Sequence, residues 1–144
     1  MSLAGAYDEA NIFAKILRGE MPAARVFEDD VALAFMDVFP QTRGHTLIIP
    51  KGVGARNFLD FPTGLVGPYM ERVQRVARAV EKALKPDGLT IMQLNGGAAG
   101  QTVFHLHFHV LPRFEGEAMK GHGKAPMAEM ADLKALAAEI AAAL

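Results

Sequence analysis

Residues 102–111, TVFHLHFHVL, alternate histidines with apolar residues: His105, His107 and His109 interleave with Leu106, Phe108 and Val110. Side chains on a β-strand change face at every residue. The pattern therefore predicts a strand with three imidazoles on one face and a core-forming apolar face opposite. Successive rings would stand roughly 6.5–7 Å apart, a row and not a cluster. Such a strand needs neighbours, and the chain supplies them. Residues 24–28 and 31–37 alternate around Asp29-Asp30, which reads as a hairpin turn, while 45–49 and 89–94 read as two further strands. Pro50 should stop the 45–49 strand.

Helical periodicity covers the rest. Ile12, Phe13, Ile16 and Leu17 share a stripe within 11–19, with Gly19 as a stop. Between about 62 and 85, Val66, Tyr69, Val73, Val76, Val80 and Leu84 recur at three- and four-residue steps, and Pro86 with Gly88 should end that helix. A last helix is expected over 127–143. Hairpin-linked strands with interspersed helices, without regular strand–helix–strand alternation, predict an α+β fold on a five-stranded antiparallel sheet. Residues 1–10 read as a flexible N-terminus whose Met-Ser-Leu start resembles a cloning remnant. Residues 11–114 read as the domain, and 115–144 as a Gly-rich connector and C-terminal helix.

Composition narrows the function classes. The 144 residues are 51% apolar and 22% charged, with a formal charge of −1, which favours neither nucleic acid nor an anionic membrane as a partner. There is no cysteine, so disulfides, thiolate catalysis and Cys-based zinc sites are excluded together. No stretch reaches the roughly 18–20 apolar residues of a membrane span, and the N-terminus lacks a signal-peptide pattern. A cytoplasmic protein is expected.

A single core histidine is usually just a hydrogen-bonded core residue, but that reading does not explain three in register. The spacing alone leaves metal binding or acid–base and nucleophilic chemistry on an anionic group. The preceding run Asn95-Gly-Gly-Ala-Ala-Gly-Gln-Thr102 lets backbone N–H groups approach phosphate oxygens, with Thr102 as a hydroxyl donor. Joined to the histidines, that loop favours a phosphate.

His105-Leu-His107-Phe-His109-Val-Leu resembles the signature of the histidine triad (HIT) family, in which each histidine is followed by an apolar residue. IFAKILRGEMPAARVFEDDVALAFMDVFP, GHTLIIPK and AGQTVFHLHFHVLPR resemble further family blocks, in the family's order, over about 11–114. The resemblance implies a homodimer with a continuous sheet across its axis, with α-phosphate chemistry on a purine nucleotide through a covalent nucleotidyl-histidine. His107 would be the nucleophile, oriented by the backbone carbonyl of His105. His109 would donate to phosphate oxygens and assist the leaving group, with His45 as a fourth histidine beside them.

The resemblance also implies a nucleoside pocket walled by Ile12, Phe13, Ile16, Phe35 and Val38, with Asp37 on the ribose hydroxyls and Gly100, Gln101 and Thr102 around the phosphate. The family's Asn or Gln, eleven residues before the first triad histidine, falls on Leu94, with Asn95 one position later. Many bacterial members carry a structural zinc, held by a Cys-x-x-Cys at the first helix and a His after the Pro-Lys of the third strand; those positions here are Asn11, Ala14 and Val53, so no metal and no cofactor are expected. His122, in the connector, reads as exposed. An adenosine phosphoramidate-type substrate is expected. A dinucleoside polyphosphate hydrolase or a nucleotide-binding module with little turnover stands as the alternative.

Overall fold

A computed structural model of the chain describes residues 2–122 and 124–144. The element order is α1 (Ile12–Leu17), β1 (Arg25–Glu28), β2 (Ala32–Met36), β3 (Thr46–Pro50), α2 (Val66–Leu84), β4 (Gly88–Met92), β5 (Phe108–Arg113) and α3 (Met130–Ala141). The five strands form one antiparallel sheet in the order β1-β2-β3-β5-β4. The predicted α+β architecture is therefore present.

Period-two alternation sorts the sheet into two faces. Ala32, Ala34, Met36, Ile48 and Val110 pack under α2 and α3, together with Tyr69, Val76, Leu133 and Ile140. Leu33, Phe35, Leu47 and Ile49 face the other way and are covered by Phe13 and Ile16 of α1. Tyr69 of α2 pins helix to sheet, donating its hydroxyl to the Ile48 carbonyl at 2.7 Å.

Local chemistry sets the element ends. The Asn11 side chain accepts the Ala14 N–H and caps α1. Lys85 closes α2 in the left-handed conformation (φ 50°), so the helix ends at Leu84, two residues before Pro86, and does not wait for Gly88. The first turn expected of that helix is a separate 3-10 turn, Thr63–Leu65, and another 3-10 turn, Phe58–Asp60, precedes it. Pro50 ends β3 from inside the ladder, paired with Ala32.

One expectation needs correcting. Only residues 108–111 of the predicted 102–111 strand join the ladder, in a β5 that runs on to Arg113. Upstream, the chain is paired with a loop: the Leu106 N–H donates to the Ala55 carbonyl at 2.9 Å. Residues 2–10, expected to be flexible, lie against the domain. The Ser2 carbonyl accepts from the Arg56 guanidinium (3.0 Å) and the Leu3 carbonyl from the Asn57 amide (2.9 Å). Among the described residues no helix is long and apolar enough to cross a membrane.

Candidate functional site

The histidines meet where the irregular 102–107 segment enters β5, beside the start of β3. The His107 Nδ1 lies 2.7 Å from the His105 carbonyl. A carbonyl only accepts, so Nδ1 carries the ring proton and Nε2 keeps its lone pair. Burial pushes the His107 pKa down to about 4, outweighing the His105 carbonyl bond, so the ring is neutral near pH 7. A neutral imidazole with a free Nε2 is the nucleophilic form.

A second chain of bonds orients His109. The Gln41 backbone N–H donates to His45 Nδ1 at 3.1 Å, so the His45 proton sits on Nε2. That Nε2–H donates to His109 Nδ1 at 2.9 Å. His109 must then carry its own proton on Nε2, a buried atom with no partner among the described residues. Desolvation pushes the pKa values of His45 and His109 down to about 3 and about 2, with neighbouring imidazoles adding to the fall. One ring thus offers a lone pair and its neighbour, 4.8 Å away between centroids, a donor.

The Asp37 carboxylate sits 3.5 Å from His45 Nε2. Burial raises its pKa to about 6 against the opposing Phe39 N–H bond. With His45 neutral, the contact is a polar one and not an ion pair.

A pocket of about 150 Å³ opens beside these groups. Of the residues expected there, Ile12, Phe13, Asp37, Val38, Thr102, His107 and His109 line it. Phe13 meets the His107 ring edge-on at 5.0 Å. Ile16 and Phe35 lie beneath, in the core that supports Phe13. His45 and His105 stand behind the lining histidines.

The structure does not bring the remaining three to the pocket. Gln101 turns inward, donating to the Arg56 carbonyl (2.8 Å) and accepting from Gly96 N–H (2.8 Å). Gly100, at φ 98°, closes the turn over Gly97–Ala99. Asn95 accepts from the Phe58 N–H at 3.0 Å and exchanges bonds with Gln93, tying the end of β4 to the loop ahead of α2.

Several residues escaped the sequence reading. Phe39, Leu47 and Val103 complete the apolar wall. His122, read as exposed, is half-buried, lines the pocket and meets the His109 ring edge-on at 5.7 Å. It has no spacing relation to the triad, so no pattern could reveal it. Gln41 announced nothing either, yet it orients His45 and holds the connector through two bonds with the Lys120 backbone.

The model of the HIT domain family matches residues 18–116, which includes all three histidines. The chain belongs to the HIT domain family. A solved HIT-like protein of Bartonella henselae is 49% identical, with a TM-score of 0.89 over 96% of this chain and all of that one. The "Protein hit" of Bacillus subtilis is 44% identical over 103 residues, 72% of this chain and 70% of that protein. A HIT relative from Saccharomyces cerevisiae, adenosine 5'-monophosphoramidase HNT1, is 37% identical over 113 residues, covering 78% and 68% of the two chains.

The residues at the zinc positions of other HIT proteins do not fit that metal here. Asn11 is spent on capping α1, and the side chains of Ala14 and Val53 carry no donor. Asp37, His45 and His109 bring one ligand atom each within 4.8 Å of one another. A cation there would first have to break the His45–His109 bond.

Proposed function

We propose that the protein hydrolyses purine nucleoside 5′-phosphate derivatives at the α-phosphate, with adenosine phosphoramidates as the preferred class. The observation that carries this reading is the pairing of a neutral His107, its Nε2 unprotonated, with the buried His109 Nε2–H on one pocket wall. In the first step His107 Nε2 attacks phosphorus and an N–P bond forms. The bond to the amine breaks; the anionic substrate brings one proton onto the His45–His109 pair, and the amine leaves with the His109 Nε2 proton as that pair returns to neutral. Water then attacks the nucleotidyl-His107, releases the nucleoside monophosphate and restores both rings. Splitting the displacement makes each step easier than direct attack by water.

In this reading the apolar wall of Ile12, Phe13, Val38 and Leu47 takes the base, Asp37 the ribose hydroxyls and Thr102 a phosphate oxygen. Gly100, Gln101 and Asn95 act indirectly, by shaping the loop. A phosphoramidate is favoured over a dinucleoside polyphosphate because an amine must be protonated as it leaves, and a positioned donor supplies that proton. The site works without a metal or cofactor, in the cytoplasm.

We further propose a homodimer. β4 is an edge strand, Ile91 on it is exposed, and a groove of about 490 Å³ lined by Met70, Val73, Leu89 and Phe108 runs alongside. A monomeric mass at micromolar concentration rejects it.

The decisive experiment is adenosine phosphoramidate turnover with a quench for protein-bound nucleotide. Wild type should release AMP through an acid-labile adduct, and His107→Ala should show neither while still binding AMP. Near-normal turnover in that variant sinks the mechanism. A clear preference for diadenosine polyphosphate moves the assignment to that substrate class, and binding without turnover of any substrate leaves a binding module.

A further inference from the structure

His105 sits behind the nucleophile, and both of its ring nitrogens are engaged. Its Nε2 points at the Pro50 carbonyl, 3.4 Å away, which can only accept. Its Nδ1 is therefore a lone pair, and it lies 2.6 Å from the Tyr7 hydroxyl. Burial raises the Tyr7 pKa, so the phenol keeps its proton. The two rings meet edge-on with centroids 5.6 Å apart.

The seat of Tyr7 is built as closely as its bond. A Cβ placed on Gly54 would fall 2.6 Å from Tyr7 Cδ2 and 2.8 Å from Cε2, so the ring rests directly on the backbone of that loop. The next residue, Ala55, accepts the Leu106 N–H. That N–H belongs to the same peptide unit as the His105 carbonyl, which receives the His107 proton. The peptide orienting His107 is thus held from one side by the 54–55 loop and from the other by the doubly bonded His105 ring. Tyr7 touches both.

We propose that Tyr7 is a positioning residue: its hydroxyl locks His105 as the Nε2–H tautomer and so steadies the His105 carbonyl that aims His107. The segment ahead of α1 is then part of the machinery. The predicted effect on turnover rests on the catalytic reading of His107. The tautomer does not.

Tyr7→Phe keeps the ring and removes only the hydroxyl. Nitrogen-15 spectra of histidine-labelled wild type should show His105 as Nε2–H alone, and the Phe protein should show a mixture of tautomers. Turnover of adenosine phosphoramidate should fall about tenfold, the scale of one lost hydrogen bond, with KM changed less than about twofold. Gly54→Ala, which displaces the ring without removing the hydroxyl, should give the same mixture. A protonated Nδ1 in wild type, an unmixed His105 in the Phe variant, or unchanged kcat beside an active wild type each overturns the proposal. If no substrate is turned over, the function fails and the nitrogen spectra still decide the role of Tyr7.

Discussion

His45 donates to His109 through an Nε2–Nδ1 hydrogen bond of 2.9 Å, and the bond can run only in that direction. The Gln41 N–H occupies the other His45 nitrogen, so the ring has a single proton to give. A backbone amide thereby decides, two rings away, that His109 presents a donor to the pocket.

Breaking that relay has a graded consequence. His45→Ala should lower turnover on the order of 10- to 100-fold, because His109 becomes free to adopt the wrong tautomer while the nucleophile stays in place. The loss should be smaller than in His107→Ala. Steady-state rates of the two variants check it, and equal losses would refute a merely supporting role.

The buried imidazoles also make stability depend on pH. The folded pKa values of His45, His105, His107 and His109, about 3, 4, 4 and 2, all lie below the ordinary histidine value. From about pH 6.5 down to those folded values of about 4 to 2 the unfolded chain binds more protons, so this stability is full above that window and is lost as pH falls through it. Asp37, raised to about 6, works in the opposite sense but is one group against four. Urea titrations at pH 7.5 and 5 should differ by at least ~1–2 kcal/mol in favour of the higher pH. A flat profile would mean that the rings are charged when folded.

Asp37 predicts a pH dependence of nucleoside affinity. With a pKa of about 6, the carboxylate is mostly protonated at pH 5 and mostly ionised at pH 7. Only the ionised form accepts from both ribose hydroxyls. Adenosine, which has no phosphate to titrate, should bind up to about tenfold tighter at pH 7 than at pH 5. In Asp37→Asn that dependence should vanish. Calorimetry on the pair decides it.

Gly44 adjoins His45 with φ 91°, and a Cβ there would run into Leu84 of α2 and Pro112 of β5. Gly44→Ala combines backbone strain with overpacking and should cost about 2 kcal/mol or more. Chemical denaturation measures it directly. A loss below about 0.5 kcal/mol would show that α2 can shift to make room.

The sheet was legible because alternation is a strong signal: Leu33 and Phe35 take one face while Ala32, Ala34 and Met36 take the other. The shared face of the histidines followed from the same rule, but not their spacing: the His107 and His109 rings stand 4.8 Å apart, closer than the roughly 6.5–7 Å of a ladder, because His105 and His107 lie outside it. Their stretch pairs with a loop, and a period-two pattern cannot tell a ladder from an extended segment bound to a loop. Tyr7, Gln41 and His122 were illegible for a different reason. Each acts alone, through a contact between segments far apart in sequence, at no spacing a pattern could reveal. Asn95 and Gln101 look like ligand-binding amides in the sequence, but backbone groups nearby claimed their hydrogen bonds first.

The Gln41 latch makes a statement about sequence drift. Its amide donates to the Lys120 carbonyl and its own carbonyl accepts the Lys120 N–H, so both links read the peptide at position 120 and neither reads the side chain. Most residue types could stand there without loosening the connector. An insertion or deletion between 114 and 128 is another matter, because it would move the peptide that Gln41 holds. Descendants of this chain should therefore vary freely in the letters of the connector while keeping its length, and a change of length should be matched by a change at position 41.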